Sequence, residues 1–425
     1  MTLRVATALA DAVVESAVVN AIGRSSTDVS VVRRCRDVVE LRAVALTSTV
    51  DIVVIDGHMR GLDREMVAEL GAAQVRCIAL TDSDVDVNRL SEIGVTVMMR
   101  GDLSGLVDAL WGAPLLDDPL IARTSSAVLP SPEGRLVAVW GPTGAPGRTS
   151  VAVELAAWLR ADSDTLLVDA DTIGPSVAQN VGLIDDTSGF AAAVRLAARG
   201  SLDPDGLAGS AVMLPSGLRV LVGLPSADRW TELRPASVEA MVRCARSTVA
   251  WTVVDVGFGI EGSDLHWVDP GNPVRYGAAR SVLAAADLVV CVGRPDPVGV
   301  VRLIKGIREV RDLAPTAALV PVLNRVVSRA EGRAAAGIVT AELVVPEVLV
   351  LPDDPQALGS AMAHGTTVAE RSPGSPFVRG IGELGHRVVS ILGSYDEPHG
   401  RAEGTYRRLL RRPHRRHRHR DARVV

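Results

Sequence analysis

Five short apolar runs recur through the first 112 residues: "LRVAT", "DVSVV", "DIVVID", "RCIALT" and "VTVMM". The stretches between them place apolar residues at helical spacing. Short runs rich in β-branched residues predict strands, and the amphipathic intervals predict helices. This alternation predicts a small doubly wound parallel sheet. A second, larger series begins at Leu136, with "LVAVW", "TLLVDA", "LRVLVGL", "TVVDVG", "DLVVCVG", "ALVPVLN" and "EVLVLP" as its strands. These runs are almost continuously apolar, as parallel strands are when helices cover both faces of the sheet. Helical stretches such as "SVAVELAAWLRA" and "VGVVRLIKGIREVRDL" lie between them. The expected fold class is therefore α/β, with two doubly wound parallel sheets in series.

The periodicity fades twice. Residues 113–134 are rich in Pro, Ser and Gly and read as a linker. Residues 394–425 are polar and charged and read as a tail that is disordered in isolation. The chain thus divides into a first domain over 1–112, the linker, a second domain over 135–393, and the tail. An apolar content of 47% fits well-buried cores. No apolar run reaches the roughly 18 residues that a membrane span needs, and the N-terminus lacks a basic-then-apolar signal. The expected location is cytoplasmic, with peripheral attachment at the membrane or the cell pole left open.

Charge is unevenly spread. From Arg401 onward ten arginines face only Glu403 and Asp421, although the whole chain carries −5. Arginines on a flexible arm neutralise phosphates without reading sequence, so residues 401–425 are a candidate contact for DNA or an anionic membrane, or a merely solvated tail. Lys305 is the only lysine. The four cysteines, Cys35, Cys77, Cys244 and Cys291, have no metal-type spacing, and Cys77 and Cys291, inside apolar strand patterns, read as small buried residues.

The candidate chemistry centres on "VAVWGPTGAPGRTS", residues 137–150. An apolar strand, a Gly-rich turn and a helix start make a phosphate-binding loop, whose expected form is G-x-x-x-x-G-K-[ST]. Here Pro142 stands at the first glycine position and Arg148 at the lysine position. Gly141, Gly144 and Gly147 permit positive φ and close approach to phosphate, while Pro142 and Pro146 remove N–H donors. Thr149 is the candidate Mg²⁺ ligand, with Ser150 as its alternate. Arg148 keeps the positive charge in a longer, planar group, which favours binding over transition-state geometry. Further on, "LLVDAD" puts Asp169 and Asp171 at one strand end, and "TVVDVGFG" puts Asp255 at another. Ligands in α/β sheets bind at the carboxyl ends of strands, so these carboxylates gather on the loop's edge. The alternative is that each caps the following helix.

With these motifs in register, residues 136 to about 392 resemble the MinD/ParA family of deviant P-loop ATPases. "DAD", "DVGFG", "VGRPDPVGV", "VLNR" and "LPDDP" carry the resemblance. It implies ATP and Mg²⁺ as ligands, Thr149 on the metal, Asp255 holding it through water and Asp171 orienting the hydrolytic water. It implies adenine contacts from Asn324 and Arg325, phosphate contacts from Gly144, Gly147, Arg148, Thr149 and Ser150, and a homodimer. The family's signature lysine corresponds to Thr143, so both lysines of the loop are replaced and hydrolysis is expected to be slow or absent.

The first domain resembles a response-regulator receiver, with Asp56 at the phosphoacceptor position and Thr81 at the conserved hydroxyl. The acidic pair after the first strand is missing, since "VATALADA" offers only Asp11, and Arg100 replaces the lysine. This departure implies a pseudo-receiver used for docking or dimerisation. A pseudo-receiver ahead of a degenerate MinD/ParA domain resembles the CpaE/TadZ group. That implies a localisation or scaffold role with pilus or secretion proteins as partners. The competing expectation is a septum-site or chromosome-partition regulator that meets division proteins and binds nucleoid DNA through its tail. "EGSDLHWVDPGNPVRYGAARSVLAAAD", with His266 and Trp267, is read as an inserted loop after the Asp255 strand.

Overall fold

Strands β1 (Leu3–Ala8), β2 (Val29–Arg34), β3 (Ile52–Asp56), β4 (Arg76–Thr81) and β5 (Thr96–Met99) form where the first five apolar runs lie. The structure is a computed structural model that describes residues 2–112 (except 26, 27, 48, 102 and 104), 134–183, 187–261 and 275–393. The linker at 113–133, the basic tail and residues 262–274, with His266 and Trp267, lie outside the described residues, whereas the later part of the segment read as an inserted loop is a helix, Gly277–Ala285. The first sheet runs β2-β1-β3-β4-β5, and every pair is parallel.

The second sheet holds β6 (Arg135–Trp140), β7 (Thr165–Ala170), β8 (Val212–Met213), β9 (Arg219–Leu221), β10 (Trp251–Val256), β11 (Leu288–Gly293), β12 (Ala318–Val326) and β13 (Leu349–Pro352). Its order is β13-β12-β11-β6-β10-β7-β9-β8. Only β8 is antiparallel, paired with β9 at the edge. It is two residues long, too short to leave a periodic signal.

The central strands are apolar throughout because both faces are buried. In β6, Leu136, Ala138 and Trp140 enter the core on one side of the sheet, while Val137 and Val139 enter the other. Each such valine or leucine side chain contributes about 1.5–3 kcal/mol when fully buried. Trp140 is included by giving its Nε1–H to Phe258 O at 3.2 Å. That bond also ties β6 to the segment after β10. Since β6 lies between β10 and β11, its carboxyl end opens at the point where the chain winds off to either side. This is the crevice where doubly wound sheets bind ligands.

The two sheets are joined through helices. The helix Arg64–Ala72 rests against the helix Pro235–Thr248. Glu65 is buried there, and its Oε1 accepts the backbone N–H of Ser237 at 2.9 Å. The helix Pro235–Thr248 has no side-chain cap of its own, so a carboxylate from the first unit satisfies an orphan donor of its first turn. Arg64 Nε donates to Ala197 O at 3.2 Å beside it. Among the described residues no helix is long and apolar enough to cross a membrane.

Candidate phosphate-loop site

The loop leaves β6 at Gly141, tightens with Ala145 N–H donating to Pro142 O at 3.0 Å, and enters the helix Arg148–Arg160. Gly144 and Gly147 have φ of +81° and +84°. A side chain there would cost about 1–2 kcal/mol in the left-handed region. Gly147 is the helix N-cap, and no side chain caps the helix. The first-turn N–H groups therefore point into the crevice with the positive end of the helix dipole behind them, an arrangement suited to an anion. The loop is pinned from outside by Asn324, whose Nδ2 donates to Pro146 O at 3.0 Å.

The three strand-end carboxylates have different jobs. Asp169 Oδ2 accepts the N–H groups of Ser176 and Val177, both at 3.0 Å, and so caps the short helix Val177–Asn180. Asp171 Oδ1 accepts from Ile173 N–H at 2.8 Å and Gly174 N–H at 3.0 Å, which shapes the turn after β7. Its Oδ2 faces Arg148. Asp255, at the end of β10, accepts the Thr149 hydroxyl at 2.5 Å on Oδ2. Its Oδ1 is buried without a hydrogen-bond partner. Thr149 Oγ1 also meets Ser176 Oγ at 2.9 Å. The cap reading thus holds for Asp169, while Thr149 and Asp255 meet directly at the mouth of the loop.

Burial dominates the electrostatics here. It pushes Asp169 up to about 7. It raises Asp255 well above the usual carboxylate range, reinforced by repulsion from Asp169 and opposed by the Thr149 hydrogen bond and Arg148. Arg148 brings a cation to this acidic nest. It lies 3.5 Å from Asp171, and its other contacts, to Gly141 O at 3.5 Å and Ala145 O at 3.3 Å, are also long. Its Nε is buried without a partner. The guanidinium is therefore held in the crevice by weak contacts, with donor capacity to spare. Orphaned Asp255 Oδ1 and Arg148 Nε, together with the uncapped helix start, fit a divalent cation and a phosphate group respectively.

Other expected residues fall elsewhere. Ser150 sits one residue further along the helix, half-buried and outside the Thr149–Asp255–Ser176 cluster. Asn324 is buried and committed to the loop backbone, whereas Arg325 points outward with half of its side chain exposed, 3.9 Å from Asp353. Adjacent in sequence, the two side chains have different partners. Arg325 has φ of +60° at a register irregularity between β12 and β13. Such a strained non-glycine residue is uncommon and is retained where the surrounding structure dictates it. In the first sheet, Arg100 pairs with Asp56 at 2.5 Å, and Asp11 caps the following helix through Val13 N–H at 2.7 Å. Sequence reasoning missed Ser176, whose only local signal is its position just before a short helix. It also missed Arg302, whose guanidinium reaches Thr143 O at 3.1 Å across 159 residues of sequence.

No protein-family model and no curated protein matches this sequence. Solved structures do. The chain is similar to a ParA family ATPase from Chlorobium tepidum TLS at 16% identity, covering 59% of this chain and 98% of that one, with a TM-score of 0.51. It is also similar to the septum site-determining protein MinD complexed with Mg-ADP from Pyrococcus horikoshii OT3 (16% identity, 61% and 98% covered, TM-score 0.49). A third is the cell division ATPase MinD from Pyrococcus furiosus (18% identity, 61% and 99% covered, TM-score 0.49). The fold is α/β and resembles that of the MinD/ParA P-loop NTPases. At these identities the likeness is one of fold.

Proposed function

We propose that the chain is an ATP-binding localisation or scaffold protein, acting as a homodimer with slow or absent hydrolysis, that positions pilus or secretion machinery at a cell site. The observation that carries the nucleotide reading is the uncapped start of the helix Arg148–Arg160, faced by the Thr149–Asp255 pair with Asp255 Oδ1 left without a partner. The loop amides and Arg148 would bind phosphate, and Thr149 and Asp255 would hold Mg²⁺. When bound, the ion supplies the positive charge that lets the buried carboxylates ionise and screens the phosphates.

Slow turnover is supported by Arg148. Its guanidinium is turned onto Asp171, the residue the family resemblance assigns to the hydrolytic water, so both groups are partly committed to each other. The scaffold role is supported by the first sheet, where Arg100 pairs with Asp56 at 2.5 Å. That arrangement suits a docking module better than a phosphoacceptor.

Calorimetry with Mg·ATP on the full chain, with phosphate release followed in parallel, tests the proposal. Wild type is expected to bind and to turn over slowly. Arg148→Lys is expected to keep binding and raise turnover by on the order of tenfold or more, as a compact ammonium tracks the transferring phosphoryl group better. Brisk hydrolysis by wild type, or no affinity for Mg·ATP, would end this reading. A second reading, partition or septum-site regulation on nucleoid DNA, is favoured by the arginine run at 401–425, outside the described residues. It requires DNA retardation that weakens steeply with salt and disappears when residues 401–425 are deleted.

A further inference from the structure

A cavity of about 330 Å³ lies against the outer wall of the phosphate loop, between the crest Pro142–Ala145 and the start of the helix Pro297–Leu313. Two arginines line it, and they are not equivalent. Arg294 is compensated by Asp296 at 2.8 Å. Arg302 has no carboxylate partner among the described residues. Its NH1 donates to Thr143 O at 3.1 Å and lies 2.8 Å from where a Cβ on Gly144 would be. A guanidinium carries five N–H donors, so most of its hydrogen-bonding capacity remains unused beside the crest.

The position of Arg302 is set by rigid neighbours. Its helix is capped by Asp296, whose Oδ1 accepts Gly299 N–H at 3.0 Å. Val300, Leu303, Ile304, Ile307 and Val310 anchor it in the core beneath the sheet. The side chain therefore extends from a fixed base onto a loop that depends on a left-handed glycine. An alanine at 144 would push it away. The loop's own cation, Arg148, is turned inward onto Asp171, and Thr143 brings no charge to the crest. Loop amides of this kind enclose the inner phosphates of a nucleotide. The charge they leave least compensated is at its outer end.

We infer that Arg302 is a second phosphate-binding cation of this loop, delivered in cis from the helix after β11, which contacts the terminal phosphate and makes the site prefer nucleoside triphosphate over diphosphate. The inference rests on the nucleotide reading above and names the residue that sets its selectivity. Arg302 is a specificity residue here; the inner phosphates remain with the loop amides and Arg148.

The test is calorimetry on the full chain with Mg²⁺ and either AMPPNP or ADP, for wild type, Arg302→Ala and Arg302→Lys, with thermal unfolding as a check on integrity. Charge-assisted hydrogen bonds to phosphate are among the stronger ones. Arg302→Ala should therefore weaken AMPPNP binding by about tenfold or more and change ADP affinity less than about twofold, with an unaltered unfolding midpoint. Arg302→Lys should recover part of the loss. Equal loss for both nucleotides, or none for either, overturns the inference and leaves the nucleotide reading standing. Failure of wild type to bind either nucleotide overturns that reading, and this inference with it.

Discussion

Replacing Gly147 by alanine is expected to weaken Mg·ATP binding by on the order of a hundredfold while the chain stays folded. Two effects add. The residue sits at φ +84°, where a Cβ costs about 1–2 kcal/mol. That Cβ would also stand 2.3 Å from Asn324 Nδ2, inside any allowed contact. Asn324 must then move, and its bond to Pro146 O at 3.0 Å is lost, at about 1 kcal/mol more. A total near 3 kcal/mol, at 1.4 kcal/mol per factor of ten, gives the hundredfold figure. The strain falls on the segment that aims the helix-start amides, so it is felt in binding. The β6 core lies one layer below and is untouched. Calorimetry on the variant, with circular dichroism to confirm folding, checks this. An affinity within threefold of wild type would mean that the loop amides are not what grips the ligand.

The second large effect concerns Glu154, in the middle of the helix Arg148–Arg160 and 2% exposed. Its Oε1 and Oε2 accept the N–H groups of Val368 at 2.5 Å and Ala369 at 3.1 Å. The carboxylate so joins the phosphate helix to a segment more than two hundred residues away. Glu154→Ala would leave both donors without acceptors, at about 1–3 kcal/mol each. We expect a loss of about 3 kcal/mol in unfolding free energy.

The same residue makes stability depend on pH. Burial pushes the Glu154 carboxyl up to about 7, against the two backbone hydrogen bonds that favour its ionised form. The folded state therefore holds this proton more tightly than the unfolded chain, whose carboxyl stays near 4.5. Its contribution is fully present below that value and is lost as pH rises through about 7. The size over the whole window is on the order of 3 kcal/mol. Urea unfolding at pH 5 and pH 8 should show wild type losing stability relative to Glu154→Gln, which cannot titrate. A wild-type-to-Gln difference that is the same at both pH values would refute the assignment.

The central strands were legible from the sequence because both of their faces are covered. Every residue of β6 from Leu136 to Trp140 is buried, so the apolar run has no polar interruption to blur it. The phosphate loop was legible for a different reason. Its backbone requires glycine where φ is positive, and Gly144 and Gly147 stand at those two places. The edge strand β8 was not legible, since two residues carry no period.

The roles of the carboxylates were less accessible. Asp169, Asp171 and Asp255 look alike as strand-end acids, yet one caps a short helix, one shapes a turn and faces Arg148, and one meets Thr149. Each outcome depends on which N–H groups or hydroxyls the neighbouring loops bring within 3 Å. No local pattern encodes that. Asn324 and Arg325 diverge likewise: a register irregularity in β12 turns one side chain inward to Pro146 and the other outward toward Asp353.

By itself, then, the sequence determined the two α/β sheets and the place of the phosphate loop, because burial periodicity and positive-φ glycines are local demands written one residue at a time. The tertiary structure alone decided that Glu65 caps a helix of the other unit, that Glu154 holds the segment at 368–369, that Thr149 meets Asp255, and that Arg302 reaches the loop crest. Each of these joins groups from separate elements, and their distance is set by how the sheets and helices pack.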